Sequence, residues 1–480
     1  MQASKIILIE SSGQFSWSDF FAVARGRARV VSSSRALARV RKGFEVLNLL
    51  LRRKGADVYG VHTGFGGLQG QGLGPSEFED HQRCLVASHA CGVGPALASD
   101  EVRGMMYLRA RELARGGSGV SKGTFEAYVN TLNSSRLPII PSQGSVGACG
   151  DLIPLAHAAL DVLRRVPQGR LGPRDGLALV NGTQASLGVA LLAFDEAEAL
   201  LGSAEQICAL TLFAMKGKTE AWDARLVGCK KHSEGIACAK DLTHWLGRYA
   251  QGGLPQDPYS LRAAPGLFGA SRHLMGSAKK LLEDEADSAT DNPALILGRV
   301  PAVLHGANFH GISVALAADE AAWALHLVGM AGERRMEHLL AGKSGLAPML
   351  PAVPRSSGLM MLQTAQGALV AENRRLAQPA SLDSVPSSAG QEDVVPMSMG
   401  AALKLKAVVR NSAHIMAAEA LAGARAVAQS GRLGQLKTKT RLGPLVARIE
   451  RMAGPALRRR DEGFSGVLTK IALALVQRKN

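Results

Sequence analysis

Apolar residues recur at spacings of three and four along much of the second half of the chain. Four segments carry this period and are rich in Ala, Leu and Met, at about 187–227, 311–339, 358–378 and 397–428. Such spacing places apolar side chains on one face of an α-helix. Because small side chains let helices approach closely, the pattern predicts a bundle of long helices.

The first part of the chain, to about residue 190, is broken into shorter segments by glycine. Glycines crowd the stretch 64–74, which predicts a mobile loop. Strand signals are few and short. We therefore predict a mainly α fold with an N-terminal lobe at 1–190, a central long-helix bundle at 191–428 and a basic helical segment at 429–480.

Composition is that of an ordinary globular protein. Hydrophobic residues make up 46% and charged residues 20% of the sequence, which is too apolar for disorder. The six cysteines include no CxxC pair, so their spacing favours neither a zinc site nor a disulfide framework. We predict no metal.

The formal net charge of +16 comes in large part from the carboxyl end, through Lys437, Lys439, Arg441, Arg458, Arg459, Arg460, Arg478 and Lys479. Aromatic residues make up only 4% and do not alternate with the basic residues, so nucleic-acid binding is not predicted. No uninterrupted apolar run approaches the roughly 18 residues that span a bilayer. The start, MQASKIILIESSGQ, lacks the sections of a signal peptide. We expect a cytoplasmic protein that makes no membrane contact.

One segment, GSVGACGDLIPLAH at 144–157, suits a reaction of the backbone with itself. A backbone nitrogen can attack the carbonyl carbon two residues earlier, and Gly150 as attacker and Ala148 as target leave that approach open. Loss of water from the ring and of hydrogen sulfide from Cys149 leaves an exocyclic methylene. The product is an electron-poor ring that accepts an amine or an aromatic π-system.

This segment closely resembles the prosthetic-group loop of the histidine/phenylalanine/tyrosine ammonia-lyase family, whose usual centre is Ala-Ser-Gly. Further matches follow in family order: YGVHTGFGGL (59–68), VNGTQAS (180–186), QDPYSLRAAPGLFGA (256–270), TDNP (290–293), HGANFHG (305–311), GERR (332–335) and SAGQEDVVPMS (388–398). The resemblance runs from about residue 20 to about 428. It implies the family's long-helix fold and a homotetramer whose active sites draw residues from several subunits.

The resemblance also implies a 4-methylideneimidazole-5-one (MIO) ring formed from Ala148-Cys149-Gly150, with no external cofactor. Cys149 stands where the family usually has Ser, and sulfur leaves at least as readily as oxygen. Elimination then requires a base at the β-carbon, because the β-proton is hardly acidic. Tyr59 matches the family's catalytic tyrosine and could act as this base if its pKa is lowered by positive surroundings. Tyr259 is expected to assist proton movement.

The remaining matched residues suit substrate binding. Arg262 offers a planar fork for a carboxylate. Asn181 and Gln256 are neutral hydrogen-bond formers that suit the ring carbonyl and the polar groups of the substrate. Phe309 is expected to pack beside the ring.

Two residues favour histidine as the substrate. Glu392 lies in a Gln-Glu-Asp run that resembles the histidine-specific members, and His89 lies in the Ser-His pair of those members. Both can pair with a polar ring. Other positions depart from the histidine-specific pattern: Val394, Pro396, Gly266 and His62. We predict conversion of L-histidine to urocanate and ammonia by a carbon–nitrogen lyase.

Three alternatives remain open at this stage. Two are catalytic: a tyrosine or phenylalanine ammonia-lyase, and a 2,3-aminomutase. The third is a non-catalytic basic binding protein on the same scaffold, in which Ala148-Cys149-Gly150 stays uncyclised.

Overall fold

The computed structural model describes residues 5–53, 58–64, 66, 70, 72–249, 256–457, 461 and 463–477. These residues form two compact units, of which the first comprises 1–192, 280–318 and 379–403, and the second 193–279, 319–378 and 404–480. Neither unit is continuous in sequence, since the chain passes from one to the other several times inside long helices. The predicted N-terminal lobe, 1–190, falls wholly within the first segment of the first unit, whereas the predicted boundary at 428 falls inside the last segment of the second unit.

The first unit holds the shorter helices and the few strands. Its helices are α1 (Trp17–Ala24), α2 (Ser34–Leu51), α3 (Phe78–His89), α4 (Ser99–Leu113), α5 (Lys122–Leu132), α6 (Leu152–Leu163) and α7 (Asp175–Val180). Its strands are β1 (Lys5–Ile9), β2 (Ala28–Ser32), β3 (Val93–Ala96), β4 (Pro141–Gln143), β5 (Ala294–Ile296) and β6 (Ala302–Leu304). They pair as three two-stranded sheets, of which β1–β2 is parallel and the other two, β3–β4 and β5–β6, are antiparallel.

The remaining helices, which include the four longest, begin in one unit and end in the other, or lie within the second. They are α8 (Gln184–Ala214), α9 (Ala224–Gly228), α10 (Ser233–Leu246), α11 (Tyr259–Arg262), α12 (Ala264–Asp287), α13 (Ile312–Leu340), α14 (Met360–Leu376), α15 (Ser398–Gln429), α16 (Leu433–Lys439), α17 (Gly443–Ala453) and α18 (Ser465–Leu475). The prediction of a mainly α fold is confirmed.

The apolar period located the long helices well. The segments predicted at 311–339, 358–378 and 397–428 agree with α13, α14 and α15 to within a few residues at each end. The prediction for α8 ran too far, to 227, because the helix ends at Ala214 before Lys216, which takes a left-handed φ of 56°. Helix α12 was not predicted as a long helix, since its apolar positions are mixed with charged and glycine residues.

Helix α13 bears on the expectation that the chain makes no membrane contact. Among the described residues it is the one helix long and apolar enough to cross a bilayer by length and composition, and 61% of its most apolar window is buried in the protein. It also carries Asp319, which is fully buried and pairs with Lys404, and Arg335, whose Nε lies 2.6 Å from Glu419 Oε1. Buried, ion-paired charges are typical of a core helix in a folded protein.

Candidate active site

The turn that carries Ala148-Cys149-Gly150 lies between β4 and α6 and is held by close backbone contact. Gly150 has a φ of 73°, and a Cβ atom there would lie 2.4 Å from the carbonyl oxygen of Gly182. The next residue, Asp151, donates its backbone N–H to that same oxygen at 2.7 Å. Only glycine fits at position 150, so the attacking residue of the predicted cyclisation has the backbone freedom that the reaction needs.

Asp151 fixes the helix side of this turn. Its carboxylate is fully buried and accepts hydrogen bonds from Ser145 Oγ at 2.7 Å, Ser186 N at 2.6 Å and Ser186 Oγ at 2.7 Å. Burial raises the pKa of Asp151, and the hydrogen bonds from Ser186 and Ser145 oppose that rise. The turn is thus anchored to α8 by several directed contacts rather than by packing alone.

Asn181 also contacts the turn. Its Nδ2 donates to the carbonyl oxygen of Cys149 at 3.1 Å, and its Oδ1 accepts from the backbone N–H of Asn292 at 2.7 Å. The amide is therefore held in one orientation, with its donor on the carbonyl that the ring would contain.

A buried ion cluster supports Asn292, and sequence reasoning did not assign it a role. Arg109 Nη2 lies 3.1 Å from Asp291 Oδ2, and Arg174 Nη2 lies 2.9 Å from Asp291 Oδ1. Both arginines are fully buried. The sequence contains both parts, Asp291 in the TDNP match and Arg109 in the apolar run of α4. Only the fold shows that their side chains are in contact.

Cys149 and Glu392 are in direct contact. The thiol Sγ lies 2.8 Å from Glu392 Oε1, and the Ser387 hydroxyl donates to Glu392 Oε2. Burial raises the pKa of the Cys149 thiol, and the hydrogen bond and negative charge of Glu392 raise it further. The thiol is therefore protonated and donates to the carboxylate.

Glu392 is presented by a loop with unusual backbone angles. Ser388 and Ala389 have φ values of 52° and 55°, in the left-handed region that non-glycine residues rarely adopt. Each such residue costs roughly 1–3 kcal/mol. A backbone pair closes the loop, with Ser387 N donating to Glu392 O at 2.9 Å and Glu392 N to Ser387 O at 3.3 Å.

Tyr59 borders the same space, but its environment differs from the expectation. Its hydroxyl oxygen accepts the backbone N–H of Gly66 at 2.8 Å, and its own backbone N–H donates to His305 Nε2 at 3.3 Å. Burial raises the pKa of Tyr59, the Gly66 N–H lowers it, and the neighbouring acidic groups Cys149 and Glu392 raise it. The condition of a lowered pKa is thus not met, because burial and these two groups outweigh one backbone donor.

Two adjoining cavities meet at these residues. One, of about 650 Å³, is lined by Tyr59, Cys149 and Glu392 together with His305, Phe309 and Val394. The other, of about 330 Å³, shares Tyr59, Cys149, Phe309 and Glu392, and extends past Asn181 to residues of α3: His81, Cys84, Leu85, Ser88 and His89. The first unit alone therefore brings together the predicted residues Tyr59, His89, Ala148, Cys149, Asn181, Phe309 and Glu392.

His89 has a defined hydrogen-bonding role. Its Nδ1 lies 2.8 Å from the carbonyl oxygen of Leu85, which can only accept, so Nδ1 carries the proton. The neutral ring then has Nε2 as an acceptor. The α3 end of the smaller cavity therefore suits a ring that carries an N–H or O–H donor.

Gln256, Tyr259 and Arg262 belong to the second unit. There the Arg262 guanidinium contacts Gln256 Oε1 and lies 4.8 Å over the ring of Tyr259, whose side chain is 71% exposed. Neither cavity has any of the three among its described lining residues. The Cys149 group, by contrast, belongs to the first unit.

A family model for aromatic amino acid lyases matches residues 15–165 and 164–450. A histidine ammonia-lyase of Symbiobacterium thermophilum is 38% identical over 450 residues, which cover 87% of this chain and 88% of that protein. A tyrosine aminomutase structure from Streptomyces globisporus superposes with a TM-score of 0.87 at 29% identity, covering 98% of this chain and 96% of that one. A histidine ammonia-lyase structure from Trypanosoma cruzi gives 0.84 at 28% identity, with coverages of 98% and 93%.

Proposed function

Since this chain belongs to the aromatic amino acid lyase family, we propose that it eliminates ammonia from L-histidine to give urocanate. The observation that carries the choice of substrate is the pair of acceptors in the smaller cavity, the Glu392 carboxylate and His89 Nε2. An imidazole N–H and an ammonium group are both donors. Phenylalanine has no donor on its ring and would leave the His89 Nε2 acceptor without a hydrogen bond from the substrate.

We further propose that Ala148-Cys149-Gly150 carries the MIO ring. Support comes from the close approach of Gly150 to Gly182, which admits no side chain, and from the Asn181 donor on the Cys149 carbonyl. The ring supplies an electron-poor methylene carbon that activates the substrate for loss of ammonia. The Asn181 amide, by donating to the ring carbonyl, stabilises negative charge that develops there.

Residues of the first unit would handle the substrate as follows. Glu392 pairs with the ammonium group, and His89 accepts the imidazole N–H. Tyr59 removes the β-proton as its phenolate and becomes a neutral phenol, and the Gly66 N–H that donates to its oxygen stabilises the phenolate before the transfer. Phe309 lines both cavities and packs beside the ring.

The substrate carboxylate requires Arg262, which we propose comes from another subunit of a homotetramer. Arg262, Tyr259 and Gln256 form an exposed cluster of their own in the second unit. A bidentate guanidinium placed beside the Cys149 group by a neighbouring copy would complete the site.

A second candidate, elimination from L-tyrosine or its 2,3-isomerisation, has one specific observation in its favour. Val394 lines the larger cavity with its side chain 64% exposed, and a phenol O–H can also donate to His89 Nε2. The similarity to the tyrosine aminomutase fold keeps this candidate open.

The deciding experiment is an ultraviolet scan of the purified chain incubated separately with L-histidine, L-tyrosine and L-phenylalanine. We expect urocanate to appear with L-histidine only. Coumarate from L-tyrosine would show that tyrosine is the substrate, while the proposed elimination of ammonia would stand. An intact mass without any loss of water or hydrogen sulfide, together with no product from all three, would instead favour a binding protein.

A further inference from the structure

We propose that Ser387 and Glu392 form a relay that expels the sulfur of Cys149 as hydrogen sulfide while the ring forms. Glu392 contacts the departing atom, and Ser387 is a positioning residue that acts through Glu392. The proposal rests on the proposed function, because sulfur leaves only if Ala148-Cys149-Gly150 closes.

The geometry of the contacts carries this inference. The Cys149 thiol is 2.8 Å from one carboxylate oxygen of Glu392, and the Ser387 hydroxyl donates to the other oxygen. The three side chains thus form a chain of hydrogen bonds that ends on the atom to be lost. A carboxylate held at both oxygens has its orientation fixed relative to the Cβ–Sγ bond.

The backbone of the loop supports the same role. Ser388 and Ala389 both adopt left-handed angles between the two relay residues, and the backbone pair between Ser387 and Glu392 holds the loop closed. Gly66 packs against this loop so closely that a Cβ atom there would lie 2.5 Å from Ser388 Oγ. Strain of this kind persists where the surroundings impose it, and it concentrates at functional sites.

The chemical step balances without another reagent. After the ring has closed with loss of water, the Cα–H bond of residue 149 breaks and its electron pair forms the Cα=Cβ bond. The Cβ–Sγ bond breaks, and its pair leaves with the sulfur as hydrosulfide. Glu392 takes the Cα proton and passes it to the hydrosulfide, so the carboxylate is regenerated and hydrogen sulfide leaves.

The protonated state of the Cys149 thiol favours the loss of sulfur as hydrosulfide. A neutral thiol leaves as hydrosulfide, whereas a thiolate would have to leave as the much less stable sulfide dianion. The burial and the neighbouring carboxylate that keep the proton on sulfur therefore favour release. Once sulfur has gone, the same carboxylate becomes available to the ammonium group of a substrate.

The test measures ring formation during maturation of the chain, not turnover of a substrate. The full chain is made by cell-free synthesis, its intact mass is recorded at intervals, and released sulfide is assayed in parallel. We expect the wild type to lose one water and one hydrogen sulfide per chain, and Ser387→Ala to lose sulfide about tenfold more slowly, as for one hydrogen bond to a charged group. Ser387→Thr, which keeps the hydroxyl, should restore the rate.

Further variants control for folding and for chemistry. Ser384→Ala removes a hydroxyl from the same loop that accepts from Val395 N and does not touch Glu392, so it should mature like the wild type. Glu392→Gln should slow sulfide release at least about a hundredfold, the usual scale of proton-transfer catalysis. Cys149→Ser should release no sulfide.

The outcomes separate the two proposals. A wild-type chain that keeps its full mass would overturn ring formation itself. A wild type that matures while a folded Glu392→Gln variant, checked by circular dichroism, matures at the same rate would overturn the relay. If Ser387→Ala matches the wild type while Glu392→Gln is slow, the role of Ser387 is wrong.

Discussion

The two groups of predicted site residues are held in opposite ways. Around Cys149, the polar side chains are fixed by directed hydrogen bonds, as Asn181 is by Asn292 and Asp151 is by the buried Ser186. Around Arg262, the side chains contact one another, and Tyr259 is largely exposed. The comparison shows that the side chains around Cys149 are held by hydrogen bonds within the first unit, whereas those around Arg262 lie at an exposed position of the second, as the proposed sharing of sites between subunits requires.

The largest expected effect follows from removal of Cys149, the residue proposed to carry the electrophile. Cys149→Ala should abolish turnover and ring absorbance, yet leave the chain folded, because the turn is anchored through Gly150 and Asp151. Cys149→Ser should keep both ring and turnover. Mass spectrometry and an activity assay check this, and loss of the ring in the serine variant would show that sulfur is essential here.

Removal of the proposed base should have the next largest effect. Tyr59→Phe should lower kcat by about a thousandfold, since the β-proton has no other acceptor among the groups assigned to it, while the ring absorbance stays unchanged. Because burial keeps the pKa of Tyr59 above its ordinary value of 10.0, the wild-type kcat/KM should rise with pH as the phenolate fraction grows. A flat profile between pH 7 and pH 9 would argue against a phenolate base.

Substitution of Arg262 tests the proposed role of the residue group in the second unit. Arg262→Ala should lower kcat/KM by about a hundredfold through loss of a bidentate contact to the substrate carboxylate, with normal ring formation. Mixing Arg262→Ala chains with Cys149→Ala chains, refolded together, should restore up to about a quarter of wild-type activity if sites are shared between subunits. No recovery in a mixed oligomer would place the whole site within one chain.

The smallest expected effect is a change in the free energy of unfolding, and it concerns a buried carboxyl group. Glu285 accepts a hydrogen bond from Thr183 Oγ1 at 2.6 Å, and burial raises its pKa to about 7 from 4.5. The folded protein therefore binds more protons than the unfolded chain between about pH 4.5 and pH 7, and its stability falls as the pH rises through that window.

Glu285→Gln should remove this loss of stability at rising pH. We expect the variant to be roughly 1–3 kcal/mol more stable than the wild type at pH 8 and unchanged near pH 4.5, as measured by urea unfolding. Glu126→Gln, at an exposed helix position paired with Lys122, serves as the matched control and should show no such pH dependence. Equal shifts at both pH values would contradict the role of burial.

The sequence predicted most of the long helices because an apolar stripe repeats over many turns, as in α13 and α15. It also singled out Ala148-Cys149-Gly150 as the candidate electrophile, because the three residues are adjacent in sequence and match a family motif. The Cys149–Glu392 contact and the Arg109–Asp291–Arg174 cluster depend instead on segments far apart in the chain, and no local pattern encodes them. The pKa of Tyr59 likewise depends on its burial and on Glu392, which the sequence around Tyr59 does not encode.

The contact between Gly150 and Gly182 has a consequence for the time at which the protein matures. The turn is clamped by residues that are synthesised later: Gly182, then Asn292 through Asn181, and finally Glu392. A nascent chain still on the ribosome lacks these clamps until most of its length has emerged. Maturation should therefore be a late event that reports on completed folding, so that truncated chains stay chemically inert.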